Sequence, residues 1–163
     1  MSHTSTCTEV QNKNKMNIKD AVADLRAQGH DVEYAENEVP RMYYEDQLRT
    51  QSGQPTEKCE VIVRVKNAFY DVGFVRDKDD NLMPLWDDFS SQSTHAASMS
   101  KGDTKLSNVL GMDNSKKGFQ PIGRLMQSIS KAQGVRAAQR EGWTISGSTV
   151  DEDGKVHLRG MKA

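Results

Sequence analysis

The stretch from Cys59 to Phe89 constrains the fold of this chain more than any other. It gathers β-branched and aromatic residues into three short runs with turn residues between them, the pattern of a β-meander. In the first run Val61, Val63 and Val65 share one face, while Glu60, Ile62, Arg64 and Lys66 share the other; the mixed second face predicts partial burial. Asn67-Ala68 turns the chain into Phe69 to Arg76, where Tyr70, Val72 and Phe74 alternate with Asp71, Gly73 and Val75. Gly73 inside a strand marks either a bulge or a close approach by another backbone. Asp77 to Asn81 makes the next turn, and Leu82 to Trp86 returns.

Around the meander the signals alternate. Ser5 to Val10 reads as a short strand. Ile18, Ala21, Val22 and Leu25 then recur at helical spacing, with Asn17 as the N-cap and Gly29 as the C-cap. Asp31 to Glu36 alternates Val32 and Tyr34 with acidic neighbours, as a strand with one wet face does. Val39 to Leu48 is ambiguous, with Met42, Tyr43 and Tyr44 able to extend a strand, and Gln51 to Lys58 reads as a loop. Ser90 to Gly118 turns polar, with one weak turn of helix near Leu106 to Leu110. Pro121 opens a helix whose stripe is Ile122, Leu125, Met126 and Ile129, and Gly134 weakens it. Trp143 to Ser146 and Lys155 to Leu158 close the chain as a hairpin around Asp151 to Gly154. Both helices leave through similar segments, Gln28-Gly29-His30 and Glu141-Gly142-Trp143, from a weak internal repeat or the same cap chemistry used twice.

This order predicts the α+β class: a mostly antiparallel sheet of about five to seven strands with two helices packed on one face. A chain of 163 residues suits a single domain, with residues 90–118 as a polar insertion loop. Only 35% of residues are apolar, so the core is smaller than the length alone implies.

Charge and composition narrow the function classes. The net charge is -1, which gives no global electrostatic case for nucleic acid or a membrane surface. No apolar run approaches the ~20 residues of a membrane span, and the polar start lacks a signal-peptide core, so the expectation is a soluble, cytoplasmic protein without a membrane partner. Cys7 and Cys59 stand far apart and read as thiols of a reducing compartment, with one disulfide between them as the lesser alternative.

The sequence presents no catalytic set. Asp77, Asp79, Asn81 and Asp88 match ligand positions of a calcium loop, but Leu82 replaces the required glycine and a hairpin turn explains them better. Asp151, Asp153 and Gly154 are likewise turn residues. His3 with the amine of Met1 has the donors of a square-planar copper or nickel site if Met1 is kept, whereas His30, His95 and His157 lack partners at ligand spacing. Cys59 opens a strand, where a buried inert thiol outweighs a nucleophile. No nucleophile elbow, phosphate loop or dinucleotide fingerprint is present. The expectation is therefore no cofactor and no metal, with the balance against an enzyme.

One charge asymmetry stands out. Lys116, Lys117, Arg124, Lys131, Arg136 and Arg140 face the single Glu141 between Lys116 and Trp143, whereas aspartates dominate between Asp71 and Asp88. The plain reading is that these charges are solvated or attract one another; the functional one makes the six cations a binding face for RNA, DNA or an acidic protein. The first expectation is a small non-enzymatic binding or regulatory protein acting through protein–protein contacts, with nucleic-acid binding by the basic helix as the alternative and an unidentified enzyme third. A homo-oligomer through the Asp31 to Glu36 edge is the further partner reading, opposed by its acidic decoration.

Several of these residues also carry a family resemblance. Met1-Ser2-His3, the exit Gly29-His30-Asp31-Val32, Val61-Ile62-Val63-Arg64, the motif Tyr70-Asp71-Val72-Gly73-Phe74 and the ending around Gly142-Trp143 resemble a family first described as a hypothetical chloroplast reading frame. That family occurs in algal plastids and cyanobacteria, with looser relatives that include phages. The resemblance excludes Ser90 to Gly118, and Leu85-Trp86-Asp87-Asp88-Phe89 stands where the family carries paired tryptophans and a glycine. It implies the same fold and, for location, a plastid stroma or a phage host's cytoplasm; the family offers no established activity or catalytic residues to carry over.

Overall fold

The meander folds as its alternation predicts and grows by one strand. The computed structural model describes residues 12–41, 58–68, 70–86, 106–114 and 116–162. Expectations for Ser5 to Val10, Met42 to Tyr44, His3, Cys7, Asp88, His95 and the first part of the insertion, 90–105, lie outside them. Strand β1 (Val32–Glu38) pairs with β2 (Cys59–Val65), β2 with β3 (Asp71–Arg76), and β3 with β4 (Leu82–Leu85), all antiparallel. The sheet order is therefore the chain order.

One face of this sheet carries the core. Val32, Val61, Val63, Val65, Val72 and Phe74 pack there against Ile18, Ala21, Val22 and Leu25 of helix α1 (Lys15–Ala27). The helix begins three residues earlier than its apolar stripe implies. Asn14 is the N-cap, its side chain accepting from the Met16 N–H at 2.9 Å, and Asn17 lies buried within the first turn. The exit follows the predicted chemistry: Gly29 adopts φ +96°, and the N–H groups of Gly29 and His30 donate to the carbonyls of Arg26 and Leu25 in a Schellman motif.

The second face is more buried than its mixed composition predicts. Ile62 is fully buried, and Asp71 is buried on the neighbouring strand. Gly73 makes the close approach expected of it, although side chains rather than backbone come near: a β-carbon there would lie 2.6 Å from Cys59 Sγ and 3.3 Å from Pro40 Cγ.

The remaining elements are helix α2 (Leu106–Leu110), a short hairpin of β5 (Met112–Asn114) and β6 (Gly118–Gln120), helix α3 (Gly123–Arg140), and a long hairpin of β7 (Trp143–Val150) and β8 (Val156–Lys162). From Leu106 onward, much of the expected insertion loop is thus regular structure, with Leu106 and Leu110 buried in the core. The class is α+β with antiparallel pairing throughout, but among the described residues the strands number eight in sheets of four, two and two, instead of five to seven in one.

The closing hairpin stays separate for a physical reason. β1 carries Glu33, Glu36 and Glu38, and β4 is four residues long with Pro84 inside it, so both edges of the main sheet resist a further strand. The β7–β8 pair packs on α3 instead. Gly134 is where it fits: a β-carbon there would sit 3.0 Å from Leu158 Cδ1. No helix among the described residues is long and apolar enough to cross a membrane.

Candidate functional site

The six basic residues singled out by the sequence lie along α3 and the turn before it, and most have protein partners. Lys116 Nζ lies 2.7 Å from Asp153 Oδ1 in the β7–β8 turn. Arg124 Nη1 is 2.8 Å from His30 Nε2, within hydrogen-bond distance. Lys131 reaches Asp24 at 3.6 Å, and Arg136 pairs with Asp20 while its Nε donates to Asn17 Oδ1 at 3.0 Å. Lys117 and Arg140 have no ion-pair partner among the described residues. The partners are Asp20, Asp24 and Asn17 of α1, His30 just beyond it and Asp153 of the last hairpin, not the meander aspartates. The basic face of α3 is thus largely the seam that holds α3 to α1. Asn17 is a buried relay in that seam rather than a cap: while its Oδ1 accepts from Arg136, its Nδ2 donates to Asn12 Oδ1 at 3.0 Å.

The meander aspartates are employed in their own turns and clamps. Asp77 accepts from the N–H groups of Asp79 and Asn81 at 2.8 and 2.9 Å, and these bonds, that from Asn81 foremost, hold its carboxyl below the usual range. Asp151 repeats the device: its Oδ1 accepts from the N–H groups of Asp153 and Lys155, and Oδ2 lies 2.8 Å from His157 Nε2. The His157 contact is the largest cause of its lowered pKa. Asp71 has no exposed side-chain surface. Arg41 grips it through Nη2 at 2.7 Å, Nε at 3.1 Å and a backbone N–H at 2.9 Å, and Arg64 adds a longer contact at 3.4 Å. This clamp pins the chain at Arg41 across the second face of the sheet. Among the described residues no group of three or more His, Cys, Asp or Glu is arranged to hold a metal ion.

Two features outside these clusters are open. The first is the outer hairpin. β7 reads Trp-Thr-Ile-Ser-Gly-Ser-Thr-Val, eight residues without a charge, and Trp143 and Val150 at its ends stay exposed at 38% and 51%. Its partner β8 carries His157, Arg159 and Lys162. Arg159 stands opposite Gly147 in the ladder, and its Nη2 lies 3.0 Å from where a Gly147 β-carbon would be, so the guanidinium rests over the bare centre of β7. The second is a groove of about 330 Å³ between the β5–β6 hairpin, α3 and the β7–β8 turn, with Lys117, Gln127 and Lys155 among its walls. Sequence reasoning missed both Gln127 and Lys155. Strands β5 and β6 are three residues each, too short for alternation to register; the Asn114-to-Gly118 turn, with Gly118 at φ +75°, was the available signal.

Comparison with known proteins supplies no family: no family model, curated protein or solved structure matches this chain.

Proposed function

We propose that the protein is a non-enzymatic binding protein whose contact surface is the open edge of β7, and that its partner contributes an acidic extended segment as an added strand. The carrying observation is the contrast between edges. β1 is lined with glutamates, β4 is short and holds a proline, and β8 bears His157, Arg159 and Lys162, whereas β7 runs eight residues without a charge or a proline, its single irregularity a register shift between Ile145 and Gly147. Strand addition uses such an edge, with backbone bonds giving affinity and side chains giving selectivity. Arg159 lying over Gly147, with Lys162 opposite Trp143, sets the preferred charge of the added strand as negative.

The alternative, nucleic-acid binding by α3, is the weaker reading because Lys116, Lys131 and Arg136 are already ion-paired within the fold. Kinship with the plastid and phage family remains part of the proposal. Its support is that Asp71 and Gly73 of the shared motif each perform a demanding structural duty in the sheet.

The test is co-purification of the full chain from its native cell, followed by hydrogen exchange on the complex. The reading expects slowed exchange at the β7 amides and loss of the partner on Arg159→Glu/Lys162→Glu. A partner retained by that charge-reversed variant, or protection that spares Thr144 to Val150, would sink it.

A further inference from the structure

We infer that the groove between the β5–β6 hairpin, α3 and the β7–β8 turn is a binding site for a small phosphorylated organic molecule, independent of the β7 edge. Three observations converge there. The groove encloses about 330 Å³, within the range of small-ligand sites, so it admits a small molecule and not a chain segment. Its charge is unbalanced in one direction. Asp153 is the single acid on its walls and is neutralised by Lys116 at 2.7 Å, while Lys117 and Lys155 also line it and have no ion-pair partner among the described residues. Two uncompensated ammonium groups call for a dianion, and a phosphate monoester carries about -1.5 to -2 near neutral pH.

The third observation is an unmet hydrogen bond. Gln127 lines the groove, and its Nε2 is buried without a partner. Leaving a buried amide donor unpaired is costly, and such a group in a folded protein calls for a reason. The terminal torsion of a glutamine is broad, and the site requires the Gln127 amide to turn so that Nε2 meets an acceptor oxygen of the ligand. Met126 and Val156 supply apolar wall on which the organic part of the ligand packs. The site is well braced: Gly154 holds the turn at φ +81°, and Asn114 fills the space a β-carbon there would need, at 3.1 Å.

The experiment is an NMR titration of the full chain with phenyl phosphate, inorganic phosphate and phenol. The site expects saturable shifts at the Gln127 side-chain amide and the Gly154 N–H with phenyl phosphate, weaker binding of inorganic phosphate, and none of phenol. Lys117→Gln/Lys155→Gln lowers the affinity by about tenfold or more, as loss of charge-assisted bonds does. Gln127→Leu removes the orphaned donor, so it raises the melting temperature while weakening phenyl phosphate. Shifts spread over lysines elsewhere without saturation, equal response to phenol, or undiminished affinity in either variant would overturn the assignment. None of these readouts depends on a protein partner, so this site and the β7 edge stand or fall separately.

Discussion

Leu158 of β8 packs onto α3 at Gly134, its Cδ1 3.0 Å from the position a β-carbon would take. The sequence reads this glycine as a weak point in the helix, and in propensity alone it is, by roughly 1 kcal/mol against alanine. The structure gives the weakness a use, because the missing side chain is what lets the hairpin sit close. Gly134→Ala therefore sets a helix gain against a displaced leucine. In a double-mutant cycle the substitution stabilises by about 1 kcal/mol when Leu158 is already alanine, and by less than half of that in the natural background. Equal gains in both backgrounds would show that the contact is not limiting.

The Asp71 clamp makes a second prediction. The carboxylate is wholly buried, whereas Arg41 is 46% and Arg64 30% exposed at the side chain. Asp71→Ala strands Arg41 against a buried gap, while Arg64 keeps Glu38 at 3.1 Å, and costs about 3 to 5 kcal/mol, the range for breaking a buried pair. Arg41→Ala costs less, because Arg64 remains beside the carboxylate and the lost arginine was half in water. Urea denaturation of the two variants decides the order, and Arg41→Ala remains measurable if Asp71→Ala does not fold. A larger loss for Arg41→Ala would contradict the clamp.

Asn14 and Asn17 separate the cap from the relay. Asn14→Ala removes the N-cap bond and costs about 1 kcal/mol, and Asn14→Ser restores most of it. Asn17→Ala breaks a buried bond to Asn12 and strips an acceptor from Arg136, costing about 1 to 3 kcal/mol, with no rescue by serine because its hydroxyl is too short to span both. Thermal melts of the four variants check this. Rescue by serine at position 17 but not at 14 would restore the cap role that the sequence implies.

These cases show where the sequence is legible. The period-two runs of β1 to β3, the stripe of α1 and the glycine exits Gly29 and Gly142 depend on neighbours in the chain, and local pattern reveals them. Both exits show positive φ, yet β1 joins the main sheet and β7 a separate hairpin, so their likeness is shared cap chemistry at work in different surroundings. What the pattern cannot show is set by distant partners. Ile62 is buried because the second face is covered, and Asp20 and Asp24 claim Arg136 and Lys131 only once α1 and α3 lie side by side. The groove at Gln127 needs three elements that the sequence separates or hides.

The two aspartate turns carry the pH dependence. Asp77 and Asp151 are held below the ordinary carboxylate range, chiefly by the Asn81 N–H and by His157 respectively. A carboxyl with a folded pKa below its unfolded value stabilises the fold above that unfolded value, about 3.9 for aspartate, and the contribution is lost as pH falls through the folded pKa. Both turns therefore hold at neutral pH and open below roughly pH 4. Both carboxylates sit in turns at the surface, so the effect is local loosening rather than global unfolding. Amide exchange or NMR line shapes at Asp79, Asn81, Asp153 and Lys155 should change together over that window, while the core amides of Val63 and Val72 do not. Asp77→Asn and Asp151→Asn each abolish the transition at their own turn only. Turn amides that stay unchanged as pH falls through that window would overturn the assignment to the two carboxylates.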